Sequence, residues 1–175
     1  MLKPALLYKY QLSEKLIETW YEEKYKYYHD CWHEDISIDD NDWNKHQFVS
    51  LDKDNQVIGY IGYNVNRTSN SCDGLGAINF SDNTIIFGKD LATVLNNIFL
   101  KFNFRKLIFS VVIGNPIEKQ YDKLIEKYNG RIVGIYKDDA ITLDGKYHDR
   151  KSYEIMKEDF LEALNGKRKN NNPTL

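Results

Sequence analysis

The sequence predicts a single α/β (α+β) domain with a mixed, mostly antiparallel central sheet flanked by helices. Its 175 residues suit one domain with one substantial core. Segments of strand period come first as hairpins, whereas a continuous apolar run, "KLIFSVVI" at 106–113, lies between two segments of helical period. A run without polar alternation is typical of a strand covered on both faces, so helices are expected on both sides of the sheet.

The first half of the chain contributes four strands and one helix. The segment "ALLYKY" at 5–10 is a short strand candidate, and a helical pattern over 12–29 follows, with Ser13 near its start as a cap. Strand patterns at 46–52 and 56–65 are separated by "KDN", which is a hairpin turn signal. "GLGAINF" at 74–80 completes the set as the fourth strand.

The second half begins with a helical pattern over 84–102. Its apolar face consists of Leu91, Val94, Leu95, Ile98, Phe99 and Phe102. After the apolar strand, another helix is predicted to begin with Pro116 as its first residue and to end at Asn129 and Gly130, a left-handed cap signal. Two strands around the turn signal Asp144–Gly145 follow. We assign residues 1–166 to the domain and 167–175 to a disordered tail.

Charge and hydropathy argue against two classes of function. The 24 Lys+Arg and 26 Asp+Glu residues give a net charge of −2, which argues against binding nucleic acid through phosphate contacts. No apolar stretch approaches the roughly 20 residues needed to cross a bilayer. The first ten residues have no signal-peptide pattern, so a cytoplasmic protein without membrane partners is expected.

Two other groups of residues have the composition of a chemical or binding site. His29, Cys31 and His33 would share one face of a strand and could hold zinc, but no fourth ligand is evident, so no metal is expected. Neither Cys31 nor Cys72 has a base placed by spacing, as a nucleophile needs. The segment 30–42 contains six acidic residues and no Lys or Arg, so it is either a solvated loop or an attractant for a cationic ligand.

Three motifs in chain order carry a resemblance to a known family: "FGKDLATVL", "NPIEKQYDKL" and "LDGKYHDRKSYEIMKEDF". Together they resemble the GNAT superfamily of acyl-CoA-dependent N-acetyltransferases, in the branch of the ribosomal-protein alanine and spermidine acetyltransferases, over residues 5–160. The resemblance implies a sheet splayed between its fourth and fifth strands and acetyl-CoA as cosubstrate. It also implies acetyl transfer by direct attack of a primary amine, which belongs to a small molecule or to a protein. If segment 30–42 attracts this acceptor, the acceptor is cationic.

The first motif corresponds to the family's pyrophosphate-binding helix start. Backbone N–H groups and the positive dipole end of a helix favour an anion there, and glycine permits close approach. Phe87 and Asp90 depart from the family pattern; the carboxylate either caps the helix or opposes the pyrophosphate. The cofactor-binding residues implied by the resemblance are Ile78, Phe80, Gly88, Lys89, Asp90, Leu91, Ala92 and Asn115.

The second motif implies the catalytic residue. Asn115 resembles the family's asparagine after the fifth strand, which would bind the pantetheine arm. Tyr121 resembles the tyrosine that protonates the departing thiolate as general acid. It follows Asn115 by six residues, where the family has seven, and one residue is about 100° around a helix. The alternative for Tyr121 is an ordinary half-buried residue of the helix face.

The third motif resembles the family's closing hairpin and carries no chemistry of its own. For the general base, Asp73 and a chain of water molecules both remain open. The alternative function is a GNAT-fold binding or regulatory module with weak or lost use of CoA, because of Phe87 and Asp90. A homodimer is also left open.

Overall fold

The structure, a computed structural model, describes residues 1–19, 22–28, 38, 43–81, 84–142 and 144–170, with the side chains of 167–170 excepted. The strands are β1 (Leu2–Pro4), β2 (Lys45–Leu51), β3 (Val57–Asn66), β4 (Ser71–Asn79), β5 (Lys106–Val112), β6 (Arg131–Ile141) and β7 (Tyr147–Met156). The helices are α1 (Lys9–Thr19), α2 (Thr84–Asn96), α3 (Glu118–Lys127) and α4 (Lys157–Asn170), and a π-helical turn, Asn97–Lys101, extends α2.

The seven strands form one mixed sheet in the order β1-β2-β3-β4-β5-β7-β6. Every described pair is antiparallel except β4 with β5, which pair in parallel over two positions only, Ser71 with Lys106 and Cys72 with Leu107. Beyond those positions the two strands separate. The predicted mixed sheet, mostly antiparallel and splayed between its fourth and fifth strands, is confirmed.

Helices cover both faces of this sheet. Successive residues of a strand point to opposite faces, so β3 contributes apolar side chains to a core on each face. On one face, Ile61 and Tyr63 of β3 belong to the larger apolar core, which also contains buried residues of α2, α3 and α4. On the other face, Tyr60 of β3 belongs to a second core together with Leu12 and Leu16 of α1. Among the helices described, none is long and apolar enough to cross a membrane.

The predicted first strand is wrong. Residues Ala5–Tyr8 form a 3₁₀-helix that leads into α1, and the strand lies earlier, at Leu2–Pro4. Within "ALLYKY" Ala5 is buried while the next two leucines are exposed, which is not the alternation of a strand. Ser13 is not a cap, since its hydroxyl donates to the carbonyl of Lys9 inside α1. The predicted single helix over 12–29 is instead α1 and a 3₁₀-helix at Glu23–Tyr28, with residues 20, 21 and 29 outside the described ranges.

The turn signals are placed correctly. Asn129, just beyond α3, has φ 54°, and the next amide, of Gly130, donates to the carbonyl of Ile125, so the predicted left-handed cap is confirmed. Gly145 has φ 75° between β6 and β7, as its turn requires. The helix α4 continues to Asn170 and so includes 167–170, the first residues of the predicted tail; 171–175 lie outside the described residues.

Candidate functional site

A cavity of about 50 Å³ lies where β4 and β5 separate. Residues 75–78 of β4 and 110–112 of β5 form its two walls. Its remaining lining consists of Tyr27, Tyr60, Asn115, Ile117, Tyr121 and Arg150. The cavity thus brings together residues that are far apart in the sequence, at the point where β4 no longer pairs with β5.

A larger groove of about 680 Å³ runs between α2 and α3. From α2 it is lined by Thr84, Phe87, Gly88 and Leu91, and from α3 by Gln120 and Leu124. Asn115 and Ile117 line both the groove and the cavity, so the two spaces meet at the turn before α3. A groove of this volume is in the range of small-molecule and cofactor sites.

Tyr121, the predicted general acid, lines the cavity and is buried. Its ring packs edge-on against Phe109 of β5, at 5.0 Å between centroids, and against Tyr153 of β7, at 6.1 Å. The side chain therefore belongs to the core and borders the cavity at the same time. Its role as an acid stays a prediction.

The orientation of α3, and hence of Tyr121, is fixed by polar bonds to β7. The ammonium of Lys151 lies 2.5 Å from a Glu118 carboxylate oxygen and 3.2 Å from one of Asp122. The Tyr153 hydroxyl also donates to Asp122, at 2.7 Å. Burial, together with that carboxylate, raises the pKa of Tyr153, so its hydroxyl stays a donor. These bonds hold the first turns of α3 against the sheet.

Asn115 is buried at the meeting point of cavity and groove. Its side-chain oxygen accepts a bond from the amide of Ile117, at 3.1 Å, which closes the turn before α3. Pro116 lies within that turn, and α3 begins at Glu118, so the prediction of Pro116 as the first helical residue is wrong. Because the helix starts later, Tyr121 lies in its first turn.

The helical pattern predicted over 84–102 is confirmed, but the motif at 87–95 is not the start of the helix. Helix α2 begins at Thr84, one turn earlier, so Gly88–Ala92 lie inside the helix, where their backbone N–H groups face the preceding turn. The positive end of the helix dipole is therefore at Thr84. Of the predicted residues of α2, Gly88 and Leu91 line the groove, whereas Lys89 is exposed and Ala92 is half-buried outside its lining.

Phe87 and Asp90 of α2 are both buried, and of the two Phe87 lines the groove whereas Asp90 does not. Phe87 is buried, and its ring lies where a side chain on Gly59 of β3 would be. Asp90 is buried and accepts a 2.7 Å bond from the Ser50 hydroxyl of β2. The Asp90 carboxylate thus does not cap the start of α2 and is absent from the groove lining, and its opposition to a pyrophosphate stays a prediction.

The two predicted cofactor residues of the fourth strand have different positions. Ile78 is buried and lines the cavity. Phe80, just after β4, instead lies near Lys15 and Glu18 of α1. The candidate base Asp73 lies where β4 and β5 are still close together, outside the cavity lining.

Burial raises the pKa of Cys72 to about 12, with Asp73 adding to the effect, so its thiol is not poised as a nucleophile. The three residues weighed as zinc ligands, His29, Cys31 and His33, lie outside the described residues. The same is true of every carboxylate of segment 30–42. Those sequence-based readings therefore stay predictions.

Sequence reasoning missed Tyr27, Tyr60 and Arg150 of the cavity lining. Arg150 is held by a bond from its Nε to Asp139 of β6, at 2.5 Å. His148, two residues before it, packs edge-on against Tyr27 at 5.7 Å, and its Nε2 is buried without a hydrogen-bond partner among the described residues. No local motif marks these residues, because they come from separate elements.

Asp90→Ala tests the position of that carboxylate. We expect the free energy of unfolding to fall by about 1–3 kcal/mol, because the buried Ser50 hydroxyl loses its acceptor. The affinity for acetyl-CoA should stay within about twofold of the parent protein, since Asp90 does not line the groove. Chemical denaturation and calorimetric titration measure the two quantities, with Asn96→Ala, at an exposed position of α2 outside the groove lining, as control. Tighter cofactor binding would show that the carboxylate opposes the pyrophosphate after all.

Known structures share this architecture. A point mutant of spermidine N-acetyltransferase SpeG from Vibrio cholerae is 20% identical, with a TM-score of 0.60 over 71% of this chain and 72% of that one. A chimera of Vibrio cholerae SpeG and hSSAT is 18% identical, with a TM-score of 0.64 over 93% and 99%. A probable acetyltransferase reaches 0.56 at 16% identity, over 67% and 65%.

The sequence itself matches no family model and no curated protein. At these identities the structural likeness concerns the fold, and it agrees with the splayed sheet and the helices on both of its faces. The chain therefore has the fold of the GNAT N-acetyltransferases.

Proposed function

We propose that this chain is an N-acetyltransferase that moves the acetyl group of acetyl-CoA onto a primary amine by direct attack. The observation that carries the proposal is the separation of β4 from β5, which opens a cavity at Tyr121 that continues into a groove between α2 and α3. A thioester at the cavity and a long cofactor arm in the groove would occupy both spaces.

The exposed edge of β4 suits the arm of the cofactor. Residues 75–78 of β4 have no pairing with β5, so their backbone groups on that side need other partners. The pantetheine amides would supply those hydrogen bonds, and Asn115 would border the arm where cavity and groove meet. The pyrophosphate would lie towards the positive end of α2, near Thr84 and Gly88.

Gly88 is the residue of α2 that most favours a bound ligand. It lies in the interior of the helix, where glycine costs about 1 kcal/mol relative to alanine. A side chain at Gly88 would meet nothing within 4 Å, so the fold itself does not require glycine. A ligand that passes close to the helix in the groove would explain its presence.

The chemistry requires one new bond and one broken bond. The neutral amine would attack the thioester carbonyl, a C–N bond would form and the C–S bond would break. Tyr121 would donate its phenol proton to the departing sulfur, and the proton released by the nitrogen as the amide forms would restore the phenol. No acyl-enzyme is involved in this scheme.

The acceptor is proposed to be a cationic amine. Segment 30–42 supplies six acidic residues without a basic one, and such a segment attracts positive charge. Two of the proteins with the same fold are named as spermidine N-acetyltransferase or a chimera of it, and spermidine is a polycation. Both observations favour a positively charged acceptor.

A thermal-shift titration tests whether the folded chain binds acetyl-CoA, which the proposed function requires. Binding to the folded state should stabilise it by RT ln(1 + [L]/Kd), which is about 2.7 kcal/mol at a hundredfold excess over Kd. For a domain of this size, that corresponds to a rise in Tm of roughly 5–10 °C. AMP at the same concentrations is the control, and thiol release with a panel of primary amines then measures transfer. An unchanged Tm at millimolar acetyl-CoA would refute the proposal.

The alternative, a GNAT-fold binding or regulatory module with weak use of CoA, is favoured by one observation. Helix α2 begins a turn before the motif, so the backbone of Gly88–Ala92 is engaged inside the helix and Phe87 is in the core. Such a module would be stabilised by an amine ligand and not by acetyl-CoA. The same titration, repeated with polyamines, separates the two functions.

A further inference from the structure

Tyr60 of β3 lines the cavity, although β3 is not one of the two strands that separate. Its buried side chain lies over Gly62, where a Cβ atom would collide with the Tyr60 hydroxyl and lie 2.9 Å from its Cζ. Gly62 pairs with Gly76 of β4, which also lines the cavity. Because neither glycine has a side chain, the Tyr60 ring borders the cavity beside Gly76.

The Tyr60 ring is held in this position by a hydrogen bond and by packing. The Nε2 of Gln47 on β2 donates to the Tyr60 hydroxyl at 3.0 Å. The ring belongs to the second core, together with Leu12 of α1 and its own cross-strand partner Ile78. Glycine inside a strand often marks a place where another group approaches closely, as the ring does at Gly62. The ring is therefore a rigid part of the cavity wall.

The cavity that Tyr60 borders is small. Its volume is about 50 Å³. About 10–15 Å³ admits one water-sized group, so the cavity holds roughly four of them. An acetyl group has three heavy atoms, and the nitrogen of an attacking amine is the fourth. A longer acyl chain needs more space than the cavity offers.

Tyr60 lies at the end of the cavity that an acyl chain would reach. Asn115 and Ile117 line both the cavity and the groove, so a cofactor arm in the groove would enter the cavity beside them. Tyr60 lines the cavity and is absent from the groove lining. An acyl chain that extends inward from the thioester would thus extend away from the groove, towards Tyr60.

We propose that Tyr60 restricts the acyl donor to acetyl-CoA, because its ring closes the cavity to longer chains. This restriction refines the proposed acetyltransferase function and rests on it. The chemistry is the same for every donor, since each transfer forms a C–N bond and breaks a C–S bond whatever the chain length. Propionyl-CoA and butyryl-CoA would have to displace a packed ring, and well-packed interiors resist extra methylene groups.

Transfer from acetyl-, propionyl- and butyryl-CoA to one primary amine, followed by release of the CoA thiol, tests the proposal. In the parent protein kcat/KM should fall about 10-fold or more for each added methylene, which is the usual effect of one methylene in an apolar pocket. Tyr60→Leu should raise the ratio of kcat/KM for butyryl-CoA to that for acetyl-CoA about 10-fold or more, because it removes the ring. Tyr60→Phe keeps the ring and should keep the ratio of the parent protein.

Tyr63→Leu is the matched control for Tyr60→Leu. Tyr63 lies on the same strand and is 1% exposed against 2% for Tyr60, and its hydroxyl lies 2.8 Å from Nδ1 of His46 on β2. It faces the larger apolar core and does not line the cavity. This control should therefore keep the ratio of the parent protein. Because the ratio compares two donors in one protein, a general loss of stability or activity cancels.

Ile78→Val provides a second readout if Tyr60→Leu does not fold by circular dichroism. Ile78 lies beside Tyr60 in the cavity lining, and the loss of one methyl group should raise the same ratio roughly 4-fold. Ile61→Val is its control, since Ile61 is buried in the larger apolar core outside the cavity lining.

The outcomes separate this proposal from the proposed function. Equal kcat/KM for the three donors in the parent protein would overturn the restriction and leave acetyl transfer intact. So would an unchanged ratio in folded Tyr60→Leu or in Ile78→Val, or an equal rise in Tyr60→Phe or Tyr63→Leu. Transfer from none of the donors would overturn both proposals.

Discussion

Tyr121→Phe is expected to lower kcat for acetyl transfer by about 10²–10⁴, the usual contribution of a general acid. The phenylalanine keeps the ring that packs against Phe109 and Tyr153 and removes only the hydroxyl. Affinity for acetyl-CoA and thermal stability should therefore change little. A loss in kcat and kcat/KM without a change in cofactor affinity is the signature of an interaction made only in the transition state.

The control for this prediction is Tyr128→Phe. Tyr128 is also buried at α3, but it stacks on Phe160 and does not line the cavity. Its loss of a hydroxyl should leave turnover within about twofold of the parent protein. Steady-state kinetics at saturating acetyl-CoA and calorimetric titration measure both variants. If Tyr121→Phe turns over normally, then Tyr121 is a core residue and the acid lies elsewhere.

Gly88→Leu is expected to raise the free energy of unfolding and, at the same time, to weaken the binding of acetyl-CoA. The fold has open space for a side chain at this position, and leucine in place of a helical glycine should add about 0.5–1 kcal/mol to the free energy of unfolding. The leucine would also project beside the groove that the cofactor is proposed to fill. Filling a well-packed site with extra atoms costs about 1–3 kcal/mol, so acetyl-CoA affinity should fall roughly 5–150-fold.

Gly166→Leu is the matched control for Gly88→Leu. Gly166 lies inside α4, where an added side chain likewise meets nothing within 4 Å, and it is absent from the groove lining. This variant should gain similar stability and keep its affinity for acetyl-CoA. Denaturation curves and binding titrations of the two variants give the comparison. Equal affinities in both would mean that no ligand passes close to Gly88.

Local chemistry was enough to predict most of the sheet. Six of the seven strands follow from period-two or continuous apolar patterns, and Asn129, Gly145 and the residues after Leu51 mark three of the turns. These features depend on neighbours in sequence, as strand period and left-handed turns do. The resemblance to the GNAT family added the splay between β4 and β5, which no local pattern contains.

The errors occur where local signals compete with distant contacts. "ALLYKY" has the composition of a strand, but Ala5 packs with Leu12 and Leu16 under the second face of the sheet and so becomes helical. The family motif at 87–95 does not start a helix, and its Phe87 is instead buried against Gly59 of β3, which lies far away in the sequence. A sequence window carries no information about such neighbours.

By itself, then, the sequence determined the fold class, the order of the main elements and the positions of the turns, because these follow from propensity and periodicity along the chain. Only the tertiary structure decided where the candidate site lies and what surrounds it. Tyr27, Tyr60, Tyr121 and Arg150 meet at one cavity because β4 and β5 part after two residue pairs. Asp90 faces Ser50 rather than the groove because of how α2 packs on β2. Both facts depend on contacts between residues that are remote in sequence.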